Sequence, residues 1–210
     1  NDAVAGINCN NFVDTDGHSA GIKPAGFVMI DGEVTHPVNR KGLHAVGFTE
    51  DDKMILGYMQ KEQLDSRNIK DAFEFGPFLI INGKAATFVG NGGAGLAPRT
   101  ALGQTEDGTF LLLVIDGRQL ATLGASFVDI TKIMQEFGAV NAVNLDGGSS
   151  SIMYYNGKTV NFPINSWDGR YLPNALIVKT PENFRDKYDR VNTSKSGKSK
   201  EKQGSGNESE

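Results

Sequence analysis

Short apolar runs broken by Asp-Gly and Asn-Gly pairs constrain this chain more than any other feature. Residues 78–81 and 85–89 are apolar or small and flank Asn82-Gly83. An Asn-Gly pair tolerates positive φ at both positions, the backbone that a two-residue hairpin needs. The arrangement recurs at 27–30 and 33–35 across Asp31-Gly32, at 101–104 and 110–115 across Asp107-Gly108, and at 151–155 and 158–162 across Asn156-Gly157. Residues 45–48 and 54–58 flank the looser Glu50-Asp51-Asp52. Residues 110–115 are apolar at every position, which predicts a strand buried on both faces. Segments 140–145 and 175–178 add further strands.

Helical periodicity is confined to two places. Phe127, Ile130, Ile133, Met134 and Phe137 recur at three and four, with Ser126 as N-cap and Gly138 as the stop, predicting a helix over 126–137. A thinner stripe predicts a weaker helix over about 60–69. The expected fold is therefore α+β: strand-rich, in curved mixed or antiparallel sheets, with one clear helix and one or two weaker ones.

At 210 residues the chain suffices for one domain with a sizeable core. A net charge of -4 gives no electrostatic basis for binding nucleic acid. No apolar run approaches the ~20 residues of a membrane span. The single cysteine, Cys9, excludes an internal disulfide and a cysteine-cluster metal site. Asn1 runs straight into the apolar segment 3–7, so further sequence is expected upstream. From residue 192 on the composition is Ser, Lys, Gly, Glu and Gln with no apolar residue, which predicts a folded domain over 1–191 and a disordered tail over 192–210.

Several familiar signals fail. Gly90-Asn91-Gly92-Gly93-Ala94-Gly95 has the spacing of a dinucleotide loop, but Pro98 and a β-type segment follow where a helix must start. It reads better as a loop beside a site. His18, His36 and His44 have no metal-ligand spacing, and no Gly-x-Ser-x-Gly elbow occurs.

Three polar clusters stand at the ends of apolar runs, where scaffolds present functional groups. They are Asn8-Cys9-Asn10-Asn11, then Pro98-Arg99-Thr100 leading to Asp116-Gly117-Arg118, and Asn144-Leu145-Asp146-Gly147-Gly148-Ser149-Ser150-Ser151. Singly, each Asp-Gly is a turn and Arg99 a structural partner for a carboxylate. The order of the pieces points further. AGINCNNF, GPFLIINGK, PRTALGQTEDGTFLLLVIDGR, GAVNAVNLDGGSSSIM and LPNALIV together resemble the ordered motifs of the phosphodiester glycosidase family, over residues 5–178. Cys9 and Asn10 depart from that pattern, which has small residues after the Asn.

The resemblance implies a hydrolase that cleaves the C1–O bond of a sugar-1-phosphodiester, freeing the sugar and leaving a phosphomonoester. Secreted or cell-surface glycans, including phosphorylated exopolysaccharide, would be its partners. On this reading Asp146 is the leading carboxylate, as general base or nucleophile. Asp116 is the second carboxylate or the group that orients Arg99. Arg99 offers a bidentate fork to phosphate, with Arg118 a second contact. Asn8, Thr100 and Asn144 would bind substrate, and the amides of Gly147, Gly148 and Ser149 would form an anion nest. Asp116, Asp146 and Asn144 carry oxygen ligands of the kind Ca²⁺ or Mg²⁺ prefers; the reading adopted is a metal-free site with no cofactor. A noncatalytic module binding phosphoglycans is the alternative, and would need no carboxylate pair.

Overall fold

A computed structural model describes residues 3–13, 23–164 and 170–180. The expected tail over 192–210 lies outside them. In chain order the strands are β1 (Ala3–Asn8), β2 (Val28–Ile30), β3 (Glu33–His36), β4 (Leu43–Thr49), β5 (Met54–Met59), β6 (Ile69–Glu74) and β7 (Phe78–Ile81). They continue as β8 (Lys84–Ala85), β9 (Arg99–Thr105), β10 (Phe110–Ile115), β11 (Ala139–Asn144), β12 (Met153–Tyr155), β13 (Lys158–Thr159) and β14 (Ala175–Lys179). Helix α1 (Lys61–Asp65) and helix α2 (Phe127–Glu136) complete the set with a 3-10 turn at Gly148–Ser150.

The hairpin chemistry works as its residues dictate. Asp31-Gly32, Asn82-Gly83 and Asn156-Gly157 all have positive φ at both positions, which makes each a two-residue turn matched to strand twist. At Asp107-Gly108 only the glycine is left-handed, and Thr105 and Thr109 close a longer loop. Every strand pairing among the described residues is antiparallel.

Three sheets result, ordered β13-β12-β1-β14, β10-β9-β11-β7-β8 and β3-β2-β6-β4-β5. One core joins them: Ile7 and Cys9 from the first, Leu102, Val143 and Leu145 from the second or its end, and Val46, Leu56 and Phe73 from the third. On the outer face of the second sheet, α2 lays Ile130 and Met134 against Leu79, Ile80 and Ala101. Ser126 caps that helix in a reciprocal box with Asp129, and Gly138 ends it at φ 78°. Phe137, expected on the apolar stripe, is instead exposed.

Three expectations change. The run 110–115 is not buried on both faces: β10 is an edge strand, paired only with β9, and its residues are half-buried or exposed. Residues 86–89 are not strand; after Ala85 the chain leaves the sheet as a loop. The weak helix is shorter than expected, because Asn68 turns left-handed and β6 begins at Ile69.

Candidate active site

The site lies where β1, β9 and β11 end together, and a buried asparagine fastens the three ends. Asn8 is 1% exposed. Its Nδ2 donates to the Asp146 carbonyl at 2.6 Å, and its Oδ1 accepts from Thr100 Oγ1 at 2.7 Å and from the Ile152 amide at 3.1 Å. Backbone bonds tighten the junction: the Asp146 amide donates to the Cys9 carbonyl and the Leu145 amide to the Thr100 carbonyl. Asn8 and Thr100, expected at the substrate, thus have their side-chain oxygens bonded to the protein itself.

Period-two geometry sorts β9 into two faces. Thr100 and Leu102 turn toward the first sheet and the central core. Arg99 and Ala101 turn toward α2. Arg99 Nε donates to the Ala125 carbonyl at 2.9 Å, and its Nη2 donates to the Ala94 and Gly95 carbonyls at 3.2 and 2.9 Å. Its guanidinium lies 4.3 Å from the Phe127 ring centroid. Burial lowers its pKa, and the charge of Arg118 lowers it further. The loop 90–95 therefore folds over Arg99. Lysine cannot reproduce this fork. An Arg99→Lys protein should lose about 2–3 kcal/mol in urea denaturation, through carbonyls left unmet.

Asp146 ends the β11 run. Burial raises its pKa above the ordinary value, partly opposed by the Ser150 side chain, the Gly147 amide and the charge of Arg170. The buried Cys9 thiol lies close enough to feel that carboxylate, and burial first, then Asp146, pushes the thiol up. Such a thiol is inert.

Gly147 makes the approach to β9 feasible. A Cβ there would stand 2.8 Å from the Pro98 carbonyl oxygen, which accepts the Gly148 amide at 2.9 Å. The expected nest is thus partly engaged, since the Gly148 amide serves Pro98 and the Gly147 amide acts on Asp146. Gly147→Ala should cost about 1–3 kcal/mol in thermal or urea unfolding and lower any turnover with it, by pushing Asp146 off β9.

Asp116 sits across Ser151 from this junction. Its carboxylate accepts from Asn161 Nδ2 at 2.9 Å and from the Phe162 amide at 3.0 and 3.1 Å. Asn161 also donates to the Ser151 carbonyl at 3.1 Å. Arg118 is exposed at φ 55°, with Nη1 3.6 Å from where a Cβ on Gly148 would stand. Asn144 donates from Nδ2 to the Gly76 carbonyl at 3.2 Å, while its buried Oδ1 has no partner among the described residues.

Sequence reasoning gave no role to several residues around the site. Asn10 and Asn174 exchange bonds, Asn174 Nδ2 donating to Asn10 Oδ1 and the Asn10 amide to Asn174 Oδ1, both at 3.0 Å. Asn10 Nδ2 reaches the Glu74 carbonyl at 3.0 Å. Glu74 pairs with Arg40 and accepts the amides of Phe27 and His44. Burial alone would raise its carboxyl, but Arg40 and those amides prevail and hold it below the ordinary value. A cleft of about 300 Å³ opens between Asn11, Gly26, Arg40, His44, Glu74 and Gly76. Among the described residues no three of His, Cys, Asp or Glu gather in metal-binding geometry.

This chain belongs to the phosphodiester glycosidase family, whose profile matches residues 1–179. It is 32% identical over 153 residues to the SPbeta prophage-derived uncharacterized protein YomE of Bacillus subtilis, covering 69% of this chain and 23% of that protein. It is 27% identical over 134 residues to the N-acetylglucosamine-1-phosphodiester alpha-N-acetylglucosaminidase of Bos taurus, covering 56% of this chain and 25% of that enzyme. The chain therefore spans about a quarter of the length of these relatives. In fold it is similar to the catalytic domain of the zebrafish N-acetylglucosamine-1-phosphodiester alpha-N-acetylglucosaminidase, auto-inhibited by its pro-peptide. The TM-score is 0.71 at 18% identity, over 86% of this chain and 64% of that one.

Proposed function

We propose that this chain hydrolyses the C1–O glycosidic bond of a sugar-1-phosphodiester, with N-acetylglucosamine as the sugar, freeing the sugar and leaving a phosphomonoester. The observation that carries the reading is Asp146: a half-buried carboxyl with a raised pKa, on a residue whose backbone is fastened where three strand ends meet. A general base works best when its pKa approaches the working pH, and burial moves Asp146 in that direction. Asp146 takes a proton from water as the water oxygen bonds to C1. The C1–O bond breaks, and its electron pair stays on the phosphate oxygen. A phosphate leaving group departs without a strong general acid if cations hold its charge.

Asp116 acts in this scheme as a positioning residue, through Asn161 and the Ser151 carbonyl. Asn8 positions Asp146 by its backbone. Asn144, tied to the Gly76 carbonyl through Nδ2, supports the end of β11 from within. Phosphorylated cell-wall or exopolysaccharide glycans are the proposed substrates, so the chain would act at the cell surface or outside it. Binding alone does not require a carboxyl whose pKa is moved toward the working pH, whereas a general base does. Incubation with α-linked sugar-1-phosphodiesters tests the reading by release of reducing sugar. Glycan affinity without any release would replace it with the binding module.

A further inference from the structure

Arg99 was the arginine that the sequence offered to phosphate, yet its guanidinium is folded into the α2 side of its sheet. Another arginine lies on the site side. Arg170 Nη1 donates to Ser149 Oγ at 3.2 Å, and its guanidinium lies 4.4 Å from the centroid of the buried Phe12 ring. Its charge reaches the Asp146 carboxylate. Arg118 approaches the same turn at Gly148, and no carboxylate pairs with it among the described residues. Two guanidinium groups thus flank Gly148-Ser149, beside the carboxyl proposed to act on C1. Stacking on an aromatic face holds a guanidinium in one plane, and a guanidinium carries five N–H donors.

We infer that Arg170 and Arg118 clamp the phosphate of the diester, with Arg170 as the residue that selects an anionic phosphate leaving group over a neutral aglycone. The inference rests on the proposed glycosidase reading. As C1–O breaks, the bond's electron pair moves onto the phosphate oxygen, the monoester gains charge, and the two arginines receive it. Charge-assisted hydrogen bonds to such oxygens are the strong kind.

The test compares wild type, Arg170→Gln and Arg170→Lys on methyl α-N-acetylglucosamine-1-phosphate diester and on an uncharged alkyl α-N-acetylglucosaminide. Expected for Arg170→Gln is a loss of kcat/KM on the diester that exceeds the loss on the neutral glycoside by about tenfold or more, from the worth of a charged hydrogen bond. Arg170→Lys should recover part of the diester rate, since charge returns without the fork. Equal losses on both substrates would overturn the clamp. Calorimetric titration with N-acetylglucosamine 1-phosphate separates the two claims when no turnover is seen. Binding weakened about tenfold or more in Arg170→Gln supports the clamp though the glycosidase reading has failed. Equal binding by wild type and variant, or none by folded wild type, overturns the clamp.

Discussion

Asp146→Asn should lower kcat for sugar release by about a hundredfold or more while leaving the protein as stable as wild type, or more so, at neutral pH. The two effects have one cause. Burial raises the Asp146 pKa, so its ionised form is held in the folded state against a solvation cost that the unfolded chain does not meet. With the folded pKa above the unfolded one, the unfolded chain ionises first as pH rises. Stability contributed by this group is therefore fully present below the ordinary value near 3.8 and is lost as pH rises through the folded pKa. Asn carries no charge and escapes that loss. The wild-type melting temperature, taken relative to Asp146→Asn, should accordingly fall as pH rises across this window. Activity should move the opposite way in wild type, since a base must be ionised, and its acid limb should lie above 3.8. Rates measured over pH, beside melting curves of both proteins, check the pair. A variant with undiminished turnover would remove Asp146 from the chemistry.

The second large effect belongs to Asn8→Ala. That change leaves the Asp146 carbonyl, the Thr100 hydroxyl and the Ile152 amide without their partner, at a site that is 1% exposed. Each unmet buried group costs about 1–3 kcal/mol, so a total near 4 kcal/mol is expected, seen as a drop in the urea midpoint. Turnover should fall in protein that is still folded, because the β11 end loses its tie to β1. An Asn8→Ala protein with unchanged midpoint would show that backbone bonds alone hold the junction.

The hairpins were legible because Asn-Gly and Asp-Gly state their own turn geometry, and α2 because its stripe, cap and stop agree. β6 was hidden. It is the central strand of its sheet, yet Lys70, Asp71 and Glu74 break its apolar run, and only the pairing with β2 and β4 decides its fate. β10 misled in the reverse sense, since an all-apolar run cannot say whether a neighbour exists on each side. Asp146, Asn8 and Arg118, which motif order had offered, stand at or beside one junction, though the Asn8 side chain is spent on the protein itself. The direction of Arg99 follows from its place one residue before Thr100 in a period-two strand, and could have been read by alternation. Arg170 and Glu74 could not, because only tertiary contacts bring them near Asp146 and Asn10, and Asn174, though inside the LPNALIV motif, shows its pairing with Asn10 only in three dimensions.

Hydrolysis in ¹⁸O-labelled water tests the central claim most directly. With methyl α-N-acetylglucosamine-1-phosphate diester as substrate, attack on C1 predicts free N-acetylglucosamine carrying the label at its C1 hydroxyl, beside an unlabelled methyl phosphate. Label on the phosphate would mean cleavage of P–O instead and would contradict the account, as would the absence of any released sugar from folded protein.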